Sequence, residues 1–433
     1  NSTTGTRNTA VGYGSLYDST GGNDNTAAGY NVLENNTTGS NNCAFGVDAL
    51  GTNTTGAQNT AMGYEAASSC STTFYHTCIG FRAGRDISTG SGNTYIGHHA
   101  GLQTTESSHN VAIGRNCLST VTDAGNENTF VGYASGYALT SGDNNVGMGS
   151  HALNAITTGS HNTAFGRTAL YNTSSGNYNT AVGAQAMCTN STGHSNIAVG
   201  FKALLTVTTG AYNTATGFKS LYSNTTGSSN TASGYRALYI NTTGYVNTAT
   251  GMYALYSNTT GFQLLASGYA ALCSNTTGRA NTAVGYSSLC SNTSGCRNTA
   301  TGSQSLKSNT TGIQNTASGY LALQDTLSGS GNTATGAHSM RKNTTGSHNT
   351  AYGTYSLYTN TTGIRSTAIG ACALRLSTCG FNTAVGTYAA TQTTTGLCNV
   401  TIGGEAMYYN TTGSMNTAVG FRAGLDLTSG GAN

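Results

Sequence analysis

Apolar and polar positions along this chain alternate on a fixed cycle rather than in helical or heptad order. From Asn213 to Leu238 the sequence reads NTATGFKSLYSNTTGSSNTASGYRAL, so Asn213-Thr214-Ala215-Thr216-Gly217 returns as Asn230-Thr231-Ala232-Ser233-Gly234 after 17 residues. A unit this short cannot bury its own hydrophobic face, and fixed short periods mark solenoids in which each coil packs on the next. Counted from the Asn, starts fall at 8, 25, 42, 59, 76, 93 and 110, from 128 every 17 residues to 366, and then at 382, 399 and 416. One extra residue before Asn128 and one missing before Asn382 cancel, giving 25 coils.

Within the cycle, Gly fills position five in all 25 coils, from Gly12 to Gly420, and position fifteen in most, as at Gly39, Gly227 and Gly413. Two recurrent glycines predict two corners with positive φ or close backbone approach. Two strand-length segments lie between them, Asn-Thr-Ala-Val before the first corner and roughly Ala-Leu-Tyr-Ser before the second. Ala occupies position three in 20 coils, a small residue position eight, and Leu dominates position nine (Leu16, Leu170, Leu255, Leu357), which predicts a narrow core filled chiefly by Leu. Positions two and four share one face of the first strand. Position two is Thr in 19 coils; position four is Val, Ile, Phe or Met in most flanking coils but Thr216, Ser233, Thr250 and Ser267 in the middle. Facing in, they make a mixed core; facing out, a stripe that wants another chain. The pattern leaves both open.

The expected fold is therefore all-β, a parallel β-solenoid (β-roll or β-helix) of 17 residues per coil and about 25 coils, forming one repetitive domain over residues 1–433. With coils about 4.8 Å apart, its length is on the order of 120 Å. Composition agrees. The chain has no Pro, which a backbone hydrogen-bonded on both sides cannot accommodate. Charged residues are 7% and the net charge is +3 without clustering, so there is no footprint for nucleic acid. No run of 18 apolar residues predicts membrane insertion. The chain starts inside a turn motif and stops at a first repeat position, so caps, a leader or anchoring segments are expected outside this numbering.

Candidate chemistry is sparse. Asn at position one, present in 22 coils and replaced by His76, Leu264 and Ser366, predicts a side-chain amide ladder. Asn-Thr-Thr and related triplets are also N-glycosylation sequons, at Asn36, Asn53, Asn172, Asn190, Asn224, Asn241, Asn258, Asn275, Asn292, Asn309, Asn343, Asn360 and Asn410; the competing reading is that Asn and Thr are good turn residues. Cys273 and Cys290, one coil apart among 11 cysteines, are the candidate disulfide, with free thiols the favoured reading because the span is strained. His98-His99 is the only histidine pair, and neither a metal-ligand spacing nor a nucleophile motif appears. No cofactor, metal or catalytic residue is expected. Aromatic residues recur at position six (Tyr13, Phe218, Tyr235) and position ten (Tyr222, Tyr239, Tyr256), either as stacked rings that support the ladder or as a sticky stripe for sugars and surfaces.

The consensus NTAVGYxALxxNTTGxx resembles the repeats of viral and phage tail-fibre proteins and related bacterial surface proteins, and more distantly the head repeats of trimeric autotransporter adhesins. That resemblance implies a left-handed roll, lateral trimerisation, and a place on a cell surface or virion. Uncapped ends imply end-to-end filaments as well. The expected function is a non-catalytic extracellular fibre or stalk, with itself as partner. The alternatives are a glycan- or receptor-binding shaft and an ice-binding solenoid carrying a Thr array, the latter opposed by the bulky, variable position four.

Overall fold

The computed structural model describes residues 4–120 and 125–431. Its β-strands, 25 in number, are short and run parallel, and no helix occurs among the described residues. The chain divides into two compact units, Asn1–Asn213 and Thr214–Asn433. Unit 1 carries twelve strands, from β1 (Thr9–Val11) to β12 (Ile197–Val199), and unit 2 carries thirteen, from β13 (Thr214–Thr216) to β25 (Thr417–Val419). Inside each unit every strand pairs in register with the next in the chain, as Thr163↔Thr180 and Ala164↔Ala181 in unit 1 or Thr231↔Thr248 and Ala232↔Ala249 in unit 2. Each unit is a parallel β-solenoid of 17 residues per coil. The extra residue before Asn128 falls in residues 121–124, outside the described ones.

Strand alternation places Ala at position three inward and positions two and four outward. Ala215, Ala232 and Ala249 are fully buried, while Thr216, Ser233 and Thr250 are exposed. The orientation follows from space: the interior facing position three is thin and takes Ala in most coils, with Tyr95, Phe130 and Thr401 among the larger buried exceptions. Gly at position five then turns the chain with φ near +130°, as at Gly217 (126°) and Gly234 (136°). A β-carbon on Gly217 would meet the carbonyl of Gly234 one coil on. Both conformation and crowding demand glycine there.

The second expected strand does not form. Positions seven and nine adopt left-handed backbone, Lys219 at φ 53° and Leu221 at 49°, and this pair of turns swings Leu221 into the core. The ladder nevertheless continues through the turns: the N–H of Leu221 donates to the carbonyl of Ala237 at 2.9 Å and that of Ser223 to Tyr239 at 3.0 Å. Left-handed conformation costs an L-residue roughly 1–2 kcal/mol, so the coil-to-coil bonds must hold it in place. The glycine at position fifteen is a different case, for in most coils, as at Gly227, its φ is not positive. Gly227 is required because a β-carbon there would run into the carbonyl of Gly244 and the amides of Asn224 and Asn241.

The core is half polar. Besides Ala, Leu and the small position eight, Asn at positions one and twelve is buried in coil after coil, for example Asn213, Asn224, Asn230 and Asn241.

Candidate functional site

Two internal amide ladders account for most of the buried asparagines. At position one, the N–H of Asn42 donates to Oδ1 of Asn25 at 3.0 Å, and Nδ2 of Asn42 crosses the coil to the carbonyl of Gly56 at 2.8 Å. At position twelve, Nδ2 of Asn258 donates to Oδ1 of Asn241 at 2.7 Å and to the carbonyl of Gly261 at 3.0 Å. The position-fifteen carbonyl thus receives both ladders, and buried polar groups that would be costly alone are satisfied. His76 replaces Asn by imitation. Its Nε2 donates to Gly90 at 3.0 Å while Nδ1 accepts from the N–H of Asn93 at 3.3 Å, and burial pushes its pKa down to about 4, keeping the ring neutral.

These ladders place the Asn of the Asn-Thr-Thr turns inside the coil, while the second Thr, as at Thr260, stays exposed. Asn36, Asn53, Asn190, Asn224, Asn241, Asn258, Asn275, Asn292, Asn309, Asn343, Asn360 and Asn410 are fully buried at position twelve. Their amide nitrogens donate inside the wall, so a glycan there cannot coexist with this fold. Asn172 alone sits one position earlier, and it is exposed. The position-twelve ladder is also discontinuous. Oδ1 of Asn53, Asn190, Asn309 and Asn360 has no partner, and in each case the next coil supplies Cys70, Val207, Thr326 or Ser377 instead of Asn.

The remaining candidates are scattered. Cys273 and Cys290 are free thiols at the same position of adjacent coils, and their mutual interaction shifts Cys290 downward and Cys273 upward. His98 stacks on Phe81 at 5.0 Å and His99 lies 4.0 Å from His98, with burial first and the His98 and Arg82 charges next lowering His99. No group of three or more His, Cys, Asp or Glu side chains gathers among the described residues. Aromatic columns do form: Phe218 on Tyr235 at 5.2 Å, Tyr222 on Tyr239 at 5.0 Å, and Tyr239 on Tyr256 at 5.2 Å, with Arg236 over Tyr235 and Tyr239. A cleft of about 440 Å³ between the position-seven and position-ten columns of unit 2 is lined by Tyr388, Glu405, Tyr408, Tyr409, Arg422 and Leu425. Its Arg422–Glu405 pair closes at 2.7 Å.

The feature with the clearest spatial order is the outward strand face. In unit 1, position four is apolar from Phe45 to Val199, with Met62, Ile113, Met148, Phe165, Val182 and Val199 exposed. In unit 2, from β13 to β20 (Thr333–Thr335), the same position reads Thr216, Ser233, Thr250, Ser267, Val284, Thr301, Ser318 and Thr335. Beside it, position two is Thr in seven of those eight strands, with Leu265 the exception. The repeat showed both files but not their direction; the signal that orients them is the near-constant Ala between them. No transmembrane-length apolar helix occurs among the described residues. No family model and no curated protein matches the chain.

Proposed function

We propose that the chain is a structural element of an extracellular fibre or stalk, working through stiffness and surface rather than catalysis. The observation that carries this is the doubled amide ladder: each coil is bonded to its neighbours through the strand, the turns and the buried Asn side chains. Such a wall resists bending because deforming any coil strains three sets of bonds at once. Few charges and a polar interior repeated from coil to coil suit length better than a globular pocket.

Self-association supports the same reading. The outward file of unit 1, including the exposed Met148, Phe165, Val182 and Val199, is apolar and free of charge. A second copy offers apolar side chains at the same strand-to-strand interval, about 4.8 Å, so the two files can interdigitate along their length. Light scattering and electron microscopy of the purified chain test the proposal. Elongated particles that associate as concentration rises are expected, and association should weaken in Phe165→Lys/Val182→Lys. Compact particles that stay monomeric at high concentration would sink it.

A further inference from the structure

The eight strands β13 to β20 present a second surface that the fibre reading does not use. Their outward face carries two parallel files, Thr214, Thr231, Thr248, Leu265, Thr282, Thr299, Thr316 and Thr333 beside the position-four file from Thr216 to Thr335. Fourteen of the sixteen side chains are Thr or Ser, and none is charged. All sixteen are at least partly exposed, and the strands stay in register throughout.

Two observations separate this array from ordinary strand composition. First, its hydroxyls have no partner within the protein, whereas Thr at position thirteen of the same coils is committed: Oγ1 of Thr242, Thr259, Thr276 and Thr293 each donates to a carbonyl of the next coil at 3.1 Å. Second, strand propensity does not explain the file at position four. Val, Ile and Phe serve that purpose at the same position in unit 1, and Ser, which forms strands poorly, stands at Ser233, Ser267 and Ser318. The change of chemistry is therefore a property of this face.

From these observations we propose that the outward face of β13 to β20 binds ice. Hydroxyls recur about 4.8 Å apart from coil to coil and roughly 6.7 Å apart along each strand, and the oxygen lattice of ice repeats at distances close to both. A crystal surface is a rigid ligand, so a rigid array can engage it at many points together. Thr is stiff at its side-chain torsion, and the strand fixes the backbone, so little freedom is lost on contact. Each hydroxyl holds an ordered water, each methyl lies in the gap between waters, and single weak contacts add because the sites are tethered at fixed spacing. Val284 interrupts the hydroxyls with a side chain the size of Thr, and Leu265 is the single bulkier member of the two files.

Thermal hysteresis of the purified full chain tests this directly, independently of whether the chain builds fibres. A gap between melting and freezing points that grows with protein concentration is expected, with faceted ice crystals. Thr250→Tyr/Thr301→Tyr should abolish most of the gap, and Thr248→Ala/Thr299→Ala, which adds no bulk, should reduce it. Thr260→Tyr/Thr311→Tyr, on an exposed corner of the same coils, should leave it intact, with circular dichroism melts confirming that each variant folds. Absence of any gap in the unsubstituted chain, or equal loss from face and corner variants, would overturn the proposal.

Discussion

Tyr95 fills the space that a side chain at Gly101 would need. Tyr95 stands at position three, where most coils have Ala, and Gly101 at position nine, where most have Leu; a β-carbon on Gly101 would overlap the tyrosine ring. The backbone is not the reason for this glycine, because Gly101 at φ 59° shares its conformation with Leu221 at 49°. Gly136 and Phe130 repeat the exchange two coils later. Gly101→Ala should therefore destabilise the surrounding coils by about 1–3 kcal/mol, as overpacking does. Tyr95→Ala should cost about 3–5 kcal/mol through the cavity it leaves. The double variant Tyr95→Ala/Gly101→Leu recreates the common coil and should recover most of both losses in urea unfolding; additive losses would refute the exchange.

The broken position-twelve ladder predicts a stabilising substitution. Thr326 is buried between Asn309 and Asn343, its own Oγ1 and Oδ1 of Asn309 both unpartnered. Thr326→Asn would donate to Asn309, accept from Asn343 and join two ladder runs, a gain of about 1 kcal/mol or more. Asn258→Thr creates the same gap in an intact run and should cost about 2 kcal/mol. Amide hydrogen exchange in the flanking coils reads both, since a repeat array loosens locally. Unchanged protection in Thr326→Asn would count against the ladder as a source of stability.

His76 makes unit 1 sensitive to acid. Its pKa is near 4 in the fold and about 6.5 when unfolded, so below pH 6.5 the unfolded state takes up a proton that the native state refuses. Stability is therefore constant above that pH and falls as the pH drops from 6.5 towards 4, by about 3 kcal/mol in all. His76→Asn restores the usual ladder residue and should abolish this slope. A slope that survives the substitution, measured by hydrogen exchange at pH 7, 5.5 and 4.5, would assign it elsewhere.

Expression in a glycosylating host should leave the twelve position-twelve asparagines bare, because their amides are spent inside the wall. Any N-glycan should sit on an exposed sequon outside the ladder, Asn172 or Asn35 of Asn35-Asn36-Thr37, or on Asn1, which lies outside the described residues. Peptide mapping should find no glycan on the twelve, and Asn172→Gln should remove only the one at its own site. A glycan on any of the twelve in folded material would contradict the buried ladder.

Much of this architecture was legible in the chain. The 17-residue period, Gly12 to Gly420, the absence of Pro and Leu at position nine all carry direct physical meaning. Two things were not legible. Asn258 reads equally well as a turn residue and as a core residue, because the same amide that caps a turn can bond along a stack; only burial separates them. The left-handed pair at Lys219 and Leu221 was hidden because no local signal marks it: neither residue favours that conformation, and the stacked coils impose it. For the candidate faces, the composition of positions two and four was plain, but their direction depended on how little room the interior leaves beside Ala215.

The asparagine ladders also have a direction. Every rung points its donor towards the preceding coil, from Asn258 to Asn241 and from Asn275 to Asn258, while the hydroxyls of Thr242 and Thr259 point the opposite way. Cutting a stack between any two such coils would expose unlike surfaces: amide donors on one, amide acceptors and hydroxyl donors on the other. The two surfaces complement each other, so stacks that join head to tail would continue both ladders, and any assembly built that way has a front and a back.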